Sequence, residues 1–149
     1  PAYAFSEACL EAGKSVVTSN KELVAATGAQ LLMNAEQNNV NFLFEASVGG
    51  GIPIIRPLHQ CLAANEIDEI AGILNGTTNF ILTKMIRENM GFDESLKMAQ
   101  SLGYADANPE ADVEVHDARL KICTPAPLAY GTHVSPENAS TPGILTVPL

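Results

Sequence analysis

The sequence predicts an α/β protein whose first part belongs to a doubly wound sheet with parallel strands. Residues 1–50 can be divided into helix, strand, helix and strand, in that order. The second predicted strand, at residues 40–46, is apolar on both faces apart from Asn41 until Glu45 is reached, as in strands buried between layers of helices. Because this alternation begins with a helix, the chain is expected to enter the sheet after its first elements.

Local signals place the elements of this first part. Residues 3–12 have a helical composition and stop at Gly13, a residue that often follows the end of a helix. Residues 15–18 form a short β-rich run, and Asn20 can cap the helix that follows. That helix is expected to end near residues 38–39, and its broad apolar face consists of Leu23, Val24, Leu31, Leu32 and Ala35.

Turn and cap residues also divide the rest of the chain. Asn75-Gly76 predicts a turn, and Asn108-Pro109 predicts a helix start, with Asn108 as the cap and Pro109 at the first helical position. Pro125 and Pro127 would each cost ~3 kcal/mol inside a regular helix. The predicted elements are a helix at 53–64, a strand at 66–74, helices at 77–88 and 93–102, a helix across 112–121 and a strand at 143–147.

Composition excludes several classes of protein. The 149 residues carry a net charge of −9, which argues against binding to nucleic acid or to anionic membranes. No apolar run approaches the ~20 residues of a membrane span. The three cysteines are far apart and form no CxxC pair, so we expect reduced thiols in a cytoplasmic protein.

Glu45 and the glycines at 49–51 form the first candidate site. The glycines do not form a G-x-G-x-x-G motif for a dinucleotide, because Ile54 stands at the last position. They permit unusual backbone angles. Two interpretations stay open: a tight structural turn, or a site where the carboxylate and exposed carbonyl oxygens bind a monovalent cation.

An acidic stretch forms the second candidate site. Its carboxylates can stabilise a helix start, bind a divalent metal together with His116, or recognise an ammonium group, although no metal-ligand spacing supports the metal. The acidic residues are Asp106, Glu110, Asp112, Glu114 and Asp117.

Two lysines are the remaining candidates. Lys121 follows Asp117 by four positions on one predicted helix, so the two form either an exposed ion pair or a proton donor held beside a carboxylate. Lys21 comes directly after a predicted strand, where doubly wound sheets bind their ligands, although lysine is also common at helix starts.

Four segments together resemble the homoserine dehydrogenase family: residues 13–21 (GKSVVTSNK), 44–53 (FEASVGGGIP), 72–79 (GILNGTTN) and 102–121 (LGYADANPEADVEVHDARLK). The resemblance covers residues 3–123. It implies reduction of aspartate semialdehyde to homoserine by NADH or NADPH, on the route to threonine and methionine. It also implies a Rossmann domain at 1–46, then a substrate-binding and catalytic domain at 47–149 with a mixed sheet covered by helices, which usually forms a homodimer.

The resemblance also implies roles for individual residues. Lys121 matches the lysine proposed as general acid, and Lys21 matches the lysine near the nicotinamide and the substrate. The implied substrate-site residues are Asp106, Asp112, Asp117 and Thr77. The implied ligands of a sodium or potassium ion are Glu45 and the carbonyls of Val48, Gly50 and Ile52.

The chain departs from the family at three places. Asp106 replaces a usual glutamate and is one methylene shorter, Asn108 replaces an aspartate, and residues 124–127 (TPAP) replace an apolar helical stretch. The glycine-rich cofactor loop and the family's C-terminal part are expected to lie outside the chain. The isolated chain is therefore expected to be inactive. The alternative is a non-catalytic module that binds a small molecule, a cation or a second copy.

Overall fold

The computed structural model describes residues 1–132 and 134–146. The chain forms two compact units. The first consists of Pro1–Ile70 and Leu120–Ala139, and the second of Ala71–Arg119 and the segment from Ser140 onward. Among the described residues, no helix has both the length and the apolarity that crossing a bilayer requires.

The amino-terminal half of the first unit has the predicted order of elements. Helix α1 (Ala2–Glu11), strand β1 (Val16–Val17), helix α2 (Lys21–Gln37) and strand β2 (Phe42–Leu43) follow one another. The strands are parallel neighbours, with Val16 opposite Phe42 and Val17 opposite Leu43. The predicted α/β class is therefore confirmed.

These helices begin and end at residues that the sequence indicated as caps or terminators. Gly13 follows α1 with φ +70°, and Asn39 follows α2 with φ 52°, both in the left-handed region. The side-chain oxygen of Asn20 accepts a hydrogen bond of 2.9 Å from the backbone N–H of Leu23, so the predicted cap of α2 is confirmed.

The core of the first unit joins α1 and α2 to the sheet. Leu10 and Leu31 are fully buried, and each contributes ~1.5–3 kcal/mol relative to an exposed side chain. The other buried members of this core are Leu23, Val24, Ala35, Phe42, Phe44, Val48 and Ile55. Burial on both faces was predicted for the strand at 40–46 and is wrong at Leu43, whose side chain is exposed. Val17 of β1 is also exposed.

Strand β2 is shorter than the predicted 40–46, because the chain turns into a 3₁₀-helix, Glu45–Ser47. There the Ser47 hydroxyl donates a hydrogen bond of 2.6 Å to the carbonyl of Phe44, which competes with continued strand pairing. The predicted helix at 53–64 is reduced to a short segment around the π-helix Pro57–Cys61. Proline at position 57 has no N–H for a regular helical bond, which is the difficulty the sequence indicated.

The second unit is helical in its described part. Helices α3 (Gly76–Glu88) and α4 (Phe92–Ser101) pack against each other, and helix α5 (Glu110–Val113) contacts α3. The core consists of Ile81, Met85, Ala99, Ala105, Val113 and Ile144. The strand predicted at 66–74 is wrong: β1 and β2 are the paired strands of the described residues, and Ile73 is 77% exposed. Without a hydrogen-bonded neighbour, a β-rich sequence does not form a sheet.

The helix predicted across 112–121 is divided in two. Helix α5 ends at Val113 and helix α6 (His116–Cys123) follows, with Val115 between them at φ 63°. This left-handed conformation is rare for a β-branched residue and interrupts the helix. Helix α5 begins one residue later than predicted, with Pro109 rather than Asn108 at the capping position. The Asn108 side-chain oxygen lies 3.4 Å from the backbone nitrogen of Glu110.

The carboxyl-terminal part also differs from the prediction. Helix α6 ends at Cys123, and helix α7 (Ala126–Tyr130) begins after Pro125. The two prolines therefore stop the helix, as expected from their missing N–H groups. The predicted strand at 143–147 is a 3₁₀-helix at Ile144–Thr146, and Val147 lies outside the described residues.

Candidate active site

Asn75 is the centre of a polar network in the second unit. Its Oδ1 atom accepts a hydrogen bond of 2.8 Å from the backbone N–H of Thr78 and thereby caps α3. Its Nδ2 atom donates to Oδ1 of Asp112 at 2.7 Å and to Oδ2 of Asp117 at 3.0 Å. One side chain therefore uses its acceptor for the helix and both donors for the two carboxylates.

The break at Val115 lets both carboxylates reach this amide. Residues five positions apart on one continuous helix point in directions about 140° apart, given ~100° per residue. In the structure, Asp112 lies on α5 and Asp117 on α6, and both carboxylates accept hydrogen bonds from the same nitrogen of Asn75. The division of the predicted helix is thus the local feature that assembles the carboxylate pair.

Burial makes this pair unlike an exposed acidic cluster. Asp117 is 6% exposed and Asn75 is 8% exposed, while Asp112 is half-buried. Carboxylates removed from water need hydrogen-bond donors, and the amide of Asn75 supplies one to each. The amide is neutral, so it adds no charge of its own to the pair.

Thr77 and Asp106 are placed differently from this pair. Thr77 is buried, and its hydroxyl donates a hydrogen bond of 2.5 Å to the backbone carbonyl of Tyr104. Asp106 is exposed, and its backbone carbonyl accepts a hydrogen bond of 3.1 Å from the side chain of Gln100. The structure therefore brings Asp112 and Asp117 together through Asn75 and does not bring Asp106 into the same network.

Glu45 holds the start of the next helical segment in the first unit. Its Oε1 atom accepts hydrogen bonds from the backbone N–H groups of Ile54 at 2.5 Å and Ile55 at 2.8 Å. Its Oε2 atom accepts a third, of 2.8 Å, from Arg56. Burial raises the pKa of Glu45, but these backbone hydrogen bonds and the charge of Arg56 outweigh that effect, so the pKa lies below its ordinary value. Glu45 is therefore held as a carboxylate.

The glycines beside Glu45 allow a close backbone approach. A Cβ atom on Gly49 would lie 2.4 Å from the carbonyl oxygen of Ile52, and Gly50 has a φ of +61°. The backbone N–H of Ile52 donates to the carbonyl of Gly49 at 3.1 Å, which closes a tight turn. The predicted tight turn is thus present. In the described residues, no group of three or more His, Cys, Asp or Glu side chains is arranged to hold a metal ion.

The two lysines belong to the first unit. Lys21 is half-buried and is the first residue of α2, close in sequence to the carboxyl end of β1. Lys121 is half-buried on α6, four positions after Asp117 on the same helix. The boundary between the units falls within α6, so the predicted site residues are divided: Lys21, Glu45 and Lys121 in the first unit, and Thr77, Asp106, Asp112 and Asp117 in the second.

An apolar groove of about 790 Å³ lies in the first unit. Side chains of α2, β2 and the segment around residues 55–60 line it, among them Phe42, Phe44 and Ile55. Charged side chains also line the groove, namely those of Glu36, Glu45 and Arg56. The groove exposes apolar surface next to the strand β2.

Asn75 is a site residue that the sequence did not indicate as a hydrogen-bond donor to the two carboxylates. Asn75-Gly76 was interpreted as a turn, and the turn interpretation accounts for only the acceptor oxygen of the side chain. An asparagine at a helix cap keeps two N–H donors, which need acceptors once the residue is buried. A buried cap asparagine followed later by an acidic stretch is the signal that could have indicated the network.

Two family models match the chain. The model described as "Homoserine dehydrogenase, NAD binding domain" matches residues 2–45, and the model described as "Homoserine dehydrogenase" matches residues 53–149. The homoserine dehydrogenase of Synechocystis sp. is 50% identical over 134 residues, which cover 90% of this chain and 31% of the relative. The chain thus spans about a third of the length of this curated relative.

Solved structures show the same similarity in three dimensions. A homoserine dehydrogenase from Thiobacillus denitrificans has a TM-score of 0.92 and 45% identity, covering 97% of this chain and 33% of that one. A hyperthermophilic archaeal homoserine dehydrogenase in complex with NADPH has a TM-score of 0.84 and 36% identity, covering 89% of this chain and 41% of that one.

Proposed function

Because this chain belongs to the homoserine dehydrogenase family, we propose that it forms part of an enzyme that reduces L-aspartate 4-semialdehyde to L-homoserine with NADPH or NADH. The observation that carries the proposal is the pair of carboxylates of Asp112 and Asp117, which both accept hydrogen bonds from Asn75. The substrate and the product share an α-ammonium group, and a pair of carboxylates is the natural partner of such a group.

The reaction needs charge stabilisation where the aldehyde oxygen becomes an alkoxide. A nicotinamide cofactor would supply the hydride for this reduction. Lys121, as a cationic ammonium, would stabilise this oxygen and then donate its proton to give the hydroxyl of homoserine. Asp117 lies four positions before Lys121 on the same helix.

Lys21 is the proposed contact of the chain with the nicotinamide end of the cofactor and with the substrate. Lys21 comes after strand β1 and immediately after Asn20, which caps α2. Ligands of doubly wound sheets bind at the carboxyl ends of the strands. Thr77 and Asp106 are proposed to border the substrate. Thr77 would act through the position of the Asn75–Thr78 turn, since its hydroxyl is engaged with Tyr104.

The turn beside Glu45 is proposed to bind a sodium or potassium ion. The proposed ligands are the Glu45 carboxylate and the carbonyls of Val48, Gly50 and Ile52. Hard cations prefer oxygen ligands, and a carboxylate with a lowered pKa keeps its charge. Two features support this site: the tight turn at Gly49 and the left-handed backbone at Gly50. Because glycine has no side chain, the backbone carbonyl groups of this segment could turn toward an ion without obstruction.

The domain arrangement is also part of the proposal. We place a partial nucleotide-binding domain at residues 1–46 and a substrate-binding, catalytic and dimerisation domain at residues 47–149. The boundaries of the two matching family models, which end at residue 45 and begin at residue 53, support this division. A homodimer in the cytoplasm, acting in threonine and methionine biosynthesis, is proposed from the family; the three free cysteines agree with a reducing compartment.

An assay of NADPH oxidation tests the function. The longest natural form of the protein that contains this chain is mixed with NADPH and aspartate semialdehyde, and the loss of NADPH absorbance is followed. Turnover that depends on both compounds is the expected result. The same assay with succinate semialdehyde, which lacks the α-ammonium group, serves as the control. Absence of turnover with aspartate semialdehyde would contradict the proposal and favour a non-catalytic binding module.

A further inference from the structure

We infer that Asn75 is a positioning residue that orients Asp112 and Asp117 toward the α-ammonium group of the substrate. This inference rests on the proposed function and adds to it a residue that would not touch the reacting atoms. The amide would act through the two carboxylates, by fixing which of their oxygens face the amide.

The orientation of the Asn75 amide follows from its neighbours. Oδ1 accepts hydrogen bonds from both the backbone N–H and the hydroxyl of Thr78, at 2.8 and 3.0 Å. Turning the amide over would place its N–H groups against the N–H of Thr78 and its oxygen against two carboxylates. Helix α3 therefore fixes the direction in which the two donor hydrogens point.

These two hydrogens hold residues that are distant in sequence. Asp112 and Asp117 follow Asn75 by 37 and 42 positions. Both accepting oxygens lie within 3.0 Å of one nitrogen, so the two carboxylates are close neighbours with like charges. Like charges in a buried site repel each other, and shared hydrogen-bond donors offset that repulsion.

The amide of Asn75 is neutral. A lysine or arginine in this position would bring a positive charge to the carboxylates. Asn75 donates to one oxygen of each carboxylate and brings no charge of its own. An ammonium group carries three N–H donors and a positive charge, so a fixed pair of carboxylates recognises it by both hydrogen bonding and charge. A neutral donor gains the hydrogen bonds without the charge attraction, and an anionic group gains neither.

The variant Asn75→Ser separates the two tasks of the side chain. Serine is as good a helix cap as asparagine, so α3 keeps its first hydrogen bond. Serine is shorter and has no amide, so the carboxylates lose their common donor. For the longest natural form of the protein, we expect kcat/KM with aspartate semialdehyde to fall ~10–100-fold, mainly through KM, because a ground-state binding contact is lost. With succinate semialdehyde, kcat/KM should stay within about twofold, because that compound has no ammonium group to bind.

Two further variants complete the test. Asn75→Asp keeps the cap but adds a third carboxylate, and it should raise KM for aspartate semialdehyde more than Asn75→Ser does. Asn20→Ser is the matched control for a changed cap alone, because Asn20 caps α2 through Leu23. Asn75→Ser should lower the thermal midpoint further, because it also removes a hydrogen-bond donor from the buried carboxylate of Asp117.

The outcomes distinguish this inference from the proposed function. If the wild type reduces aspartate semialdehyde and Asn75→Ser lowers kcat/KM equally with both aldehydes, Asn75 has only a structural role and the function stands. If the rate with succinate semialdehyde is too low to measure, a fall in kcat without a rise in KM for aspartate semialdehyde rejects the inference. If the wild type does not reduce aspartate semialdehyde, the proposed function fails and the inference fails with it.

Discussion

The side-chain nitrogen of Asn75 lies 3.0 Å from a carboxylate oxygen of Asp117, although 42 positions separate the two residues. This hydrogen bond joins the start of α3 to the start of α6. Both side chains are buried, so the bond forms where water competes least for the donor and the acceptor. The position of Asp117, and of the helix that also carries Lys121, is therefore tied to a helix cap.

Replacement of Lys121 tests the proposed general acid. In the longest natural form of the protein, Lys121→Ala should lower kcat by ~100-fold or more, because a general acid acts mainly in the transition state. The KM for aspartate semialdehyde should change by only a few-fold. Steady-state kinetics measures both values, and Lys97→Ala, at an exposed lysine of α4, is the matched control. Unchanged turnover would return Lys121 to the role of an ion-pair partner.

A salt titration tests the proposed cation site. Adding potassium or sodium chloride to a cation-free sample should raise the thermal midpoint of the wild type, because an ion that binds only the folded state stabilises it. Choline chloride at equal concentration controls for ionic strength. Glu45→Gln should reduce the specific shift. An equal shift in the wild type and the variant would reject the cation site and leave Glu45 as the cap of residues 54–56.

A single methyl group at Gly49 should disturb the same turn. In Gly49→Ala the new Cβ would lie 2.4 Å from the carbonyl oxygen of Ile52, so the backbone must move. We expect a loss of ~1–3 kcal/mol in the free energy of unfolding, as for other overpacked sites. Gly51→Ala is the matched control, because a Cβ there meets no atom within 4 Å. Urea denaturation of both variants measures the difference, and equal stability would show that the turn relaxes without cost.

The pH dependence of stability follows from Glu45. Its pKa is lowered from 4.5 in the folded protein, through hydrogen bonds from Ile54, Arg56 and Ile55 that outweigh burial. A depressed pKa stabilises the folded state above the unfolded value and loses that contribution as the pH falls through the folded value. We therefore expect the free energy of unfolding to decrease below a pH of 4.5, and to decrease less steeply in Glu45→Gln. Parallel pH profiles from urea denaturation would remove Glu45 as the source.

The 149-residue chain alone should bind NADPH weakly and show no turnover of aspartate semialdehyde. The pyrophosphate of a dinucleotide is held by N–H groups of a glycine-rich turn and the helix behind it, and G-x-G-x-x-G does not occur in these residues. The exposed Val17 and Leu43 on the two-stranded sheet should also favour self-association. Calorimetry and sedimentation measure the two properties. Micromolar affinity for NADPH would show that the chain holds the nucleotide by other contacts.

The sequence predicted the elements that depend on local signals. Gly13 follows the end of α1 through its backbone angles, and Asn20 caps α2 through its side chain, so a short window of sequence contains the cause. The strand predicted at 66–74 failed for the opposite reason. Its apolar residues favour a strand, but a sheet requires a partner from elsewhere, which a local window does not contain.

The candidate site shows the same limit. The resemblance and the acidic spacing indicated Asp112 and Asp117 before the structure was known, as members of one helix. The left-handed backbone of Val115 was not predictable, because a valine rarely adopts it without support from surrounding packing. The bond from Asn75 to both carboxylates depends on that break, and so it became visible only in three dimensions.

The conformation of Val115 also constrains the length of the chain around it. One residue added to or removed from the connection between α5 and α6 would rotate α6 by ~100° and shift it by ~1.5 Å along its axis. Asp117 would then face away from Asn75, whatever residue types were present. Substitution by glycine or asparagine, which accept a left-handed backbone, would keep the register. The number of residues between Asp112 and Asp117 is thus as much a part of the carboxylate pair as the side chains themselves.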